Sequence, residues 1–188
     1  MCGRFYVEDD EALAERILRL NRGTRLRTGD IHPGQTAAVL TGGNGLRADT
    51  MKWGFPSFDN KLIINARSES AAQKPMFRDL WRSFRLLIPA HGYYEWDASG
   101  TKHFLGTGGG LYLAGLFRPD ERSFTILTKE AASGLKAIHP RMPLIFSKTA
   151  AKAWLDPLSD PARVMKDAET DAVQPLIKQM RLEVRFIP

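Results

Sequence analysis

The sequence has very little cysteine: its 188 residues include one, at position 2. A single cysteine cannot form an internal disulfide, and it leaves no CxxC pair for a structural zinc site. The four histidines are scattered along the chain without the spacing of metal ligands. We therefore predict no metal and no cofactor, and a free thiol at Cys2 that is compatible with a reducing compartment.

The sequence also lacks an apolar run near the roughly 18 residues that a membrane span requires. Its N-terminus shows no signal-peptide pattern of charged, apolar and small residues. We expect a soluble, cytoplasmic and nucleoid-associated protein that makes no membrane contact. With 188 residues, of which 43% are hydrophobic and 26% charged, the length fits one domain over residues 1–188, and we expect a monomer.

Basic residues exceed acidic ones, giving a net charge of +6, and the excess is concentrated in residues 61–85, which hold six bases and two acids. Phe77, Trp81 and Phe84 lie among these bases. Such a mixture suits the phosphates and unstacked bases of single-stranded nucleic acid. The alternative is a helix whose charges face solvent and whose aromatic rings enter the core.

Hydrophobic periodicity predicts helices over "EDDEALAERILRLN" (8–21), "PMFRDLWRSF" (75–84) and "SKTAAKAWL" (147–155), with Ser147 as the N-cap of the last, and around "DPARVMKDAE" (160–169). Short apolar or alternating runs between them predict strands: "TAAVL", "LRADTMKW", "KLIINA", "RLLIPA", "GYYEW", "GLYLAGLF", "SFTILT" and "MPLIF". No regular βαβα alternation is present. The sequence therefore predicts an α+β domain around a largely antiparallel, barrel-like sheet with helices around it.

The position of Cys2 gives its thiol an unusual chemical partner. A small second residue usually permits removal of the initiator Met1, which would leave Cys2 with both an α-amine and a thiol. Their ordinary pKa values lie near 8 and 8.5, so both are partly nucleophilic at neutral pH. An aldehyde meeting this pair forms a Schiff base with the amine, and the thiol then closes a five-membered thiazolidine ring. The alternative is that Cys2 is a small apolar residue of a first strand.

Five segments in this order resemble the SOS response-associated peptidase family: "MCGRF" (1–5), "MKWGFP" (51–56), "INARSES" (64–70), "IPAHGYYEW" (88–96) and "IHPRMP" (138–143). The resemblance extends from residue 1 to about residue 155. It implies a sensor in the DNA damage response that grips single-stranded DNA and links covalently to abasic sites through the cysteine. The ring-opened abasic sugar is an aldehyde, which is the electrophile that an aminothiol requires.

The resemblance implies four catalytic residues. Cys2 is the double nucleophile, and Asn65 holds the amine and the sugar oxygen in attack geometry. Glu95, whose aromatic neighbours raise its pKa, transfers protons, and His139 assists ring opening and reversal. Taken singly, Asn65 could be a strand terminator, Glu95 an outward strand residue and His139 a turn residue.

Five further residues match family positions that contact DNA. Arg4 and Arg67 would hold the phosphates beside the abasic nucleotide. Trp53, Phe55 and Pro56 would form an apolar wedge against bases, with core packing as the alternative. The family's N-x-A-P-x-Q segment reads "DIHPGQ" here, so Asp30 brings a negative charge close to the predicted DNA site.

Two other functions remain open. Cys2 could be the nucleophile of a thiol peptidase or autopeptidase that uses its own α-amine as the base, as the family's name indicates. The protein could also be a module that binds single-stranded or modified DNA without chemistry. An aminothiol gains a ring only from an aldehyde, whereas a hydrolase needs an oxyanion hole, and the sequence identifies none.

Overall fold

A computed structural model describes residues 2–23 and 26–171. Within these residues the chain forms twelve strands and five helices. The strands are β1 (Arg4–Val7), β2 (Gly29–Ile31), β3 (Thr36–Thr41), β4 (Arg47–Trp53), β5 (Phe55–Pro56), β6 (Leu62–Ile63), β7 (Asn65–Arg67), β8 (Arg85–Trp96), β9 (Lys102–Arg118), β10 (Ser123–Glu130), β11 (Arg141–Pro143) and β12 (Ile145–Phe146). The helices are α1 (Glu11–Leu20), α2 (Ser68–Ala71), α3 (Pro75–Ser83), α4 (Lys148–Leu155) and α5 (Pro161–Asp171). Met1 and residues 172–188, which the one-domain prediction includes, lie outside the described residues.

The longer helices begin where their capping signals predict. Asp10 caps α1 by accepting the Leu13 N–H at 3.0 Å. Ser147 caps α4 by accepting the Ala150 N–H at 3.3 Å, as predicted. Pro75 occupies the first turn of α3, where its missing N–H leaves no intrahelical bond unmade.

The strands form a ten-stranded mixed sheet and a separate β5–β6 hairpin within the described residues. Most pairings are antiparallel, but β10 pairs in parallel with β4 and with β7. The pairings of β8, β3, β4, β10 and β9 form a closed circuit, because β9 also pairs with β8. The predicted α+β class is confirmed, and the two parallel pairings are a feature that the sequence did not predict.

The predicted strands "RLLIPA" and "GYYEW" form one continuous strand, β8. Its pairing with β9 shifts register between Ala90 and Gly92, and His91 lies within this irregularity. The His91 Nδ1 accepts the Glu8 N–H at 3.0 Å. At Gly92 a Cβ would lie only 2.4 Å from the Phe104 ring, so the close approach of β8 to that ring requires glycine.

Two apolar clusters form the core on opposite faces of the sheet. Neighbouring strand residues alternate between them: Leu86 and Ile88 enter one cluster, and Leu87 enters the other. The first cluster contains Cys2, and the second is covered by α3 and α4. Cys2 is therefore anchored in a packed core.

The basic stretch 61–85 spans β6, β7, α2, α3 and the start of β8, and only two of its six bases, Arg78 and Arg82, lie on α3. Phe77 and Trp81 of α3 are buried, so these rings belong to the core rather than to a nucleic-acid surface. Arg85 is also buried and donates to the carbonyl oxygens of Trp154 at 2.8 Å and Asp156 at 2.6 Å. None of the helices within the described residues is long and apolar enough to cross a membrane.

Candidate active site and nucleic-acid interface

Cys2 lies just before β1, where the chain enters the core. Its side chain is fully buried, and the thiol donates to the Arg4 carbonyl oxygen at 3.9 Å. Burial raises the pKa of the Cys2 thiol, and the nearby Glu95 carboxylate raises it further. The thiol is therefore protonated at neutral pH.

Asn65, at the start of β7, forms a hydrogen bond with the main chain of Cys2. Its Nδ2 donates to the Cys2 carbonyl oxygen at 2.8 Å. β7 is held in place by parallel pairing with β10, in which Asn65 lies opposite Ile126. The Asn65 Oδ1 is buried and has no hydrogen-bond partner among the described residues, so the amide carries one acceptor that the fold itself does not use.

Glu95, near the end of β8, is 3% exposed. The register of β1 against β8 pairs Arg4 with Tyr94 and Phe5 with Tyr93, which brings the end of β8 beside the residues that precede β1. Burial raises the pKa of Glu95, and the charge of nearby His139 opposes this. The raised pKa agrees with the prediction, and the burial excludes an outward-facing strand position.

His139 lies in the turn between β10 and β11 and is half-buried. The main-chain N–H of Arg141 donates to the His139 Nδ1 at 3.0 Å. The main-chain N–H of His139 donates to the Leu135 carbonyl oxygen at 3.1 Å. The charge of His139 opposes the effect of burial on the pKa of Glu95. Cys2, Asn65, Glu95 and His139, which are far apart in sequence, are thus linked by one hydrogen bond and by the electrostatic interactions of Glu95 with Cys2 and His139.

An ion pair that the sequence analysis missed joins two of the motif segments. Arg141 donates to Glu69 through Nη1 at 2.6 Å and through Nη2 at 2.9 Å, and Nη2 also donates to the Thr128 carbonyl oxygen at 2.7 Å. These bonds lower the pKa of Glu69 to about 2. Glu69 lies in "INARSES" and Arg141 lies in "IHPRMP", so membership of these two motifs was the sequence signal that could have identified the ion pair.

The two predicted phosphate ligands differ in their surroundings. Arg67 is exposed at the end of β7, two residues beyond Asn65. Arg4 is half-buried and lies over the rings of Tyr94 and Trp96, at 5.7 and 5.4 Å from their centroids. Its Nη1 is 3.4 Å from Asp30 Oδ2, so the acidic residue of "DIHPGQ" pairs with this arginine.

The predicted apolar wedge divides between core and surface. Trp53 and Phe55 are fully buried, and the Trp53 Nε1 donates to the Ile64 carbonyl oxygen at 2.9 Å. Neither ring presents a face to a base, so these two residues fit the alternative of core packing. Pro56 is exposed, and Phe58, which the sequence analysis did not select, is fully exposed in the loop of the β5–β6 hairpin.

Metal ligation has no support in residues 2–23 and 26–171, where no group of three or more His, Cys, Asp or Glu side chains could hold an ion. The titratable side chain that acts on Cys2 is Glu95, and His139 acts in turn on Glu95.

The chain is similar in sequence to two curated proteins. The chain is 35% identical over 123 residues to the abasic site processing protein YedK of Escherichia coli, an alignment that covers 58% of this chain and 55% of that protein. It therefore spans about half of that relative. It is 29% identical over 206 aligned positions to the abasic site processing protein YoqW of Bacillus subtilis, covering 95% of this chain and 87% of that protein.

A phage-related protein from Bordetella bronchiseptica has a similar structure, with a TM-score of 0.70, 25% identity, and coverage of 90% of this chain and 88% of that one. A protein from Bacteroides thetaiotaomicron shares the fold, with a TM-score of 0.70, 18% identity, and coverage of 89% of this chain and 86% of that one. Residues 1–184 match the model of a protein family that is described as "SOS response associated peptidase (SRAP)". The chain belongs to the SRAP family.

Proposed function

We propose that this protein recognises abasic sites in single-stranded DNA during the DNA damage response and binds them covalently through Cys2 after Met1 is removed. The observation that carries the proposal is the 2.8 Å hydrogen bond from Asn65 to the Cys2 carbonyl oxygen, beside the buried Glu95. This bond holds the main chain of Cys2, and therefore its future α-amine, next to a proton donor. The names of the curated relatives support the same substrate.

The covalent steps require only the aldehyde and Cys2. The α-amine adds to the aldehyde carbon, and the former carbonyl oxygen becomes a hydroxyl group that leaves as water, giving an imine. The Cys2 sulfur then bonds to the imine carbon while its proton passes to the nitrogen, which closes the thiazolidine ring. Glu95, whose pKa is raised by burial, supplies the proton for sugar-ring opening and water loss, and His139 assists the proton transfers.

DNA binding would use the surface around this buried site. Arg67 is exposed beside Asn65 and can take a phosphate bidentately. Pro56 and Phe58 lie on the β5–β6 hairpin, whose second strand leads directly into β7 and Asn65. An exposed aromatic ring at this place is suited to stacking on an unpaired base, so we assign the wedge to Pro56 and Phe58.

A thiol peptidase, the activity in the family description, is the second candidate. Cysteine peptidases attack with a thiolate whose pKa is lowered by a paired base. Here the thiol is buried, its pKa is raised, and its hydrogen bond goes to a backbone carbonyl oxygen. This environment favours an amine that attacks first and a thiol that adds second.

The test is incubation with a single-stranded oligonucleotide that carries one abasic site, followed by a denaturing gel. We expect a shifted, heat-stable band with the wild-type protein, no band with Cys2→Ala or with an intact oligonucleotide, and loss of Met1 by intact-mass measurement. Binding without a band would identify a non-covalent module. Peptide cleavage that depends on Cys2, again without a band, would identify a peptidase.

The hairpin assignment has its own test. Phe58→Ser should weaken binding of the abasic oligonucleotide several-fold, because a stacked base contributes about 1–3 kcal/mol, and should leave stability unchanged because the ring is fully exposed. Leu158→Ser, at another fully exposed apolar residue, is the matched control. Equal binding by Phe58→Ser and wild type would remove Phe58 from the interface.

A further inference from the structure

Tyr93 carries a buried hydroxyl group that the fold does not satisfy. The residue lies in β8 opposite Phe5 of β1, and its side chain is 0% exposed. Its OH has no hydrogen-bond partner among the described residues. A buried polar group without a partner destabilises the folded state, and a phenylalanine would fill the same volume without that cost.

This hydroxyl group lies on the same side of the sheet as the acid of the proposed reaction. Tyr93 and Glu95 are two residues apart on one strand, so their side chains project from the same face. Tyr93 also belongs to the core cluster that contains Cys2. Burial raises the pKa of Tyr93 well above its ordinary value, and ionisation of Cys2 or Glu95 would raise it further. The phenol is therefore protonated at neutral pH, within electrostatic reach of both groups.

A phenol in such a place can donate one hydrogen bond to a ligand. The buried Asn65 Oδ1, which also lacks a partner among the described residues, adds an acceptor beside Cys2. The Tyr93 OH and the Asn65 Oδ1 are thus a donor and an acceptor without partners near one nucleophile. A polar substrate that enters the site could form a hydrogen bond with each of them.

We propose that Tyr93 is a further catalytic residue, whose O–H donates a hydrogen bond to the aldehyde oxygen of the substrate while the Cys2 amine adds to the aldehyde carbon. This inference rests on the proposed function. The bond strengthens as negative charge accumulates on the oxygen. Tyr93 keeps its proton throughout, since the proton that the oxygen takes before it leaves as water comes from Glu95.

The test compares Tyr93→Phe with Tyr112→Phe, which removes the same atom at a distance from the site. The Tyr112 OH accepts from Arg16 Nη1 at 3.1 Å, beside an apolar groove of about 460 Å³. We expect Tyr93→Phe to cross-link abasic DNA at least tenfold more slowly, to bind it with unchanged affinity, and to melt at a higher temperature. Tyr112→Phe should cross-link at the wild-type rate.

A merely structural hydroxyl group would give the opposite pattern. If Tyr93→Phe melts at a lower temperature, or cross-links as fast as wild type, the inference is overturned. Its failure is distinguishable from failure of the proposed function, because in the first case the wild-type protein cross-links and in the second it does not.

Discussion

Asn65 and Cys2 are 63 positions apart in sequence, yet the Asn65 amide donates directly to the Cys2 carbonyl oxygen at 2.8 Å. The bond joins Cys2, two residues before β1 begins, to the start of β7, and β7 is itself fixed by pairing with β10. A nucleophile at the end of a chain would otherwise move with the terminus. The sheet thus supplies the rigidity that attack geometry needs.

Replacement of Asn65 should therefore uncouple binding from chemistry. Asn65→Ala removes the donor to Cys2, and we expect cross-linking to slow about 100-fold while affinity for intact single-stranded DNA falls less than twofold. Gel quantification and fluorescence anisotropy measure the two effects. Asn65→Asp keeps the size but places a carboxylate against the carbonyl oxygen, so it should be no faster than alanine. A fast aspartate variant would contradict the anchoring role.

Glu95→Gln should slow cross-linking by about 100-fold, within the range of general acid catalysis, with nearly unchanged DNA affinity. Burial raises the pKa of Glu95, so the acid stays protonated at a pH where an exposed carboxyl group would not. The wild-type rate should fall as the pH rises through that raised pKa, and the glutamine variant should lose this limb of the rate–pH profile. Equal losses of rate and affinity would argue against proton transfer.

The sequence predicted the elements whose signals are local. The period of apolar residues located α1 and α4 closely, and the predicted cap at Ser147 begins α4. β8 was predicted as two strands that are separated at "AHG". In the structure it is one strand, which continues through a register shift at His91. β1 was not assigned as a strand, since it holds only four residues and is defined by its pairing with β2 and β8.

Partners far apart in sequence were the features that the sequence could not show. Arg85 looked like part of a basic surface, but its guanidinium group donates to carbonyl oxygens at the ends of α3 and α4, up to 71 residues away. Such contacts depend on tertiary packing and leave no periodic signal. The roles of Trp53 and Phe55 could not be predicted either, because an apolar motif residue has the same sequence pattern in a core and at an interface.

Arg67→Ala should weaken binding of single-stranded DNA and flatten its salt dependence. One lost phosphate contact reduces the slope of log K against log salt concentration by about 0.7. Arg19→Ala is the matched control, because Arg19 is an exposed arginine of α1 whose ion pair is with Glu15. An unchanged slope for Arg67→Ala would show that this arginine contacts no phosphate.

Asp30→Asn should strengthen DNA binding. The Asp30 carboxylate is 3.4 Å from Arg4, so its removal frees the guanidinium group for a phosphate, and the salt slope should steepen by about 0.7. The asparagine oxygen can still accept the bond that Asp30 takes from Tyr94. Asp49→Asn, which removes the partner of Arg122, is the control for charge alone. Equal gains from both variants would assign the effect to net charge.

The Glu69–Arg141 ion pair should stabilise the fold in a pH-dependent way. The pKa of Glu69 is lowered to about 2 in the folded protein and lies near 4.3 in an unfolded chain. Its contribution is therefore complete above about pH 4.3 and lost as the pH falls towards 2. The Glu69 side chain is 50% exposed, so screening limits the loss in Glu69→Gln to about 1 kcal/mol or less at pH 7.

Urea denaturation at pH 7 and at pH 2.5 measures this effect. The wild-type protein should be more stable than Glu69→Gln at pH 7, and most of the difference should vanish at pH 2.5, where the wild-type carboxylate is partly protonated. The control is Glu130→Gln, which removes the surface ion pair of Glu130 with Lys136.

Because Arg141 follows His139 by two residues and Glu69 follows Asn65 by four, the ion pair also sets the spacing of two proposed catalytic residues. Glu69→Gln should therefore slow cross-linking at pH 7, and a full rate in the destabilised variant would limit the pair to folding.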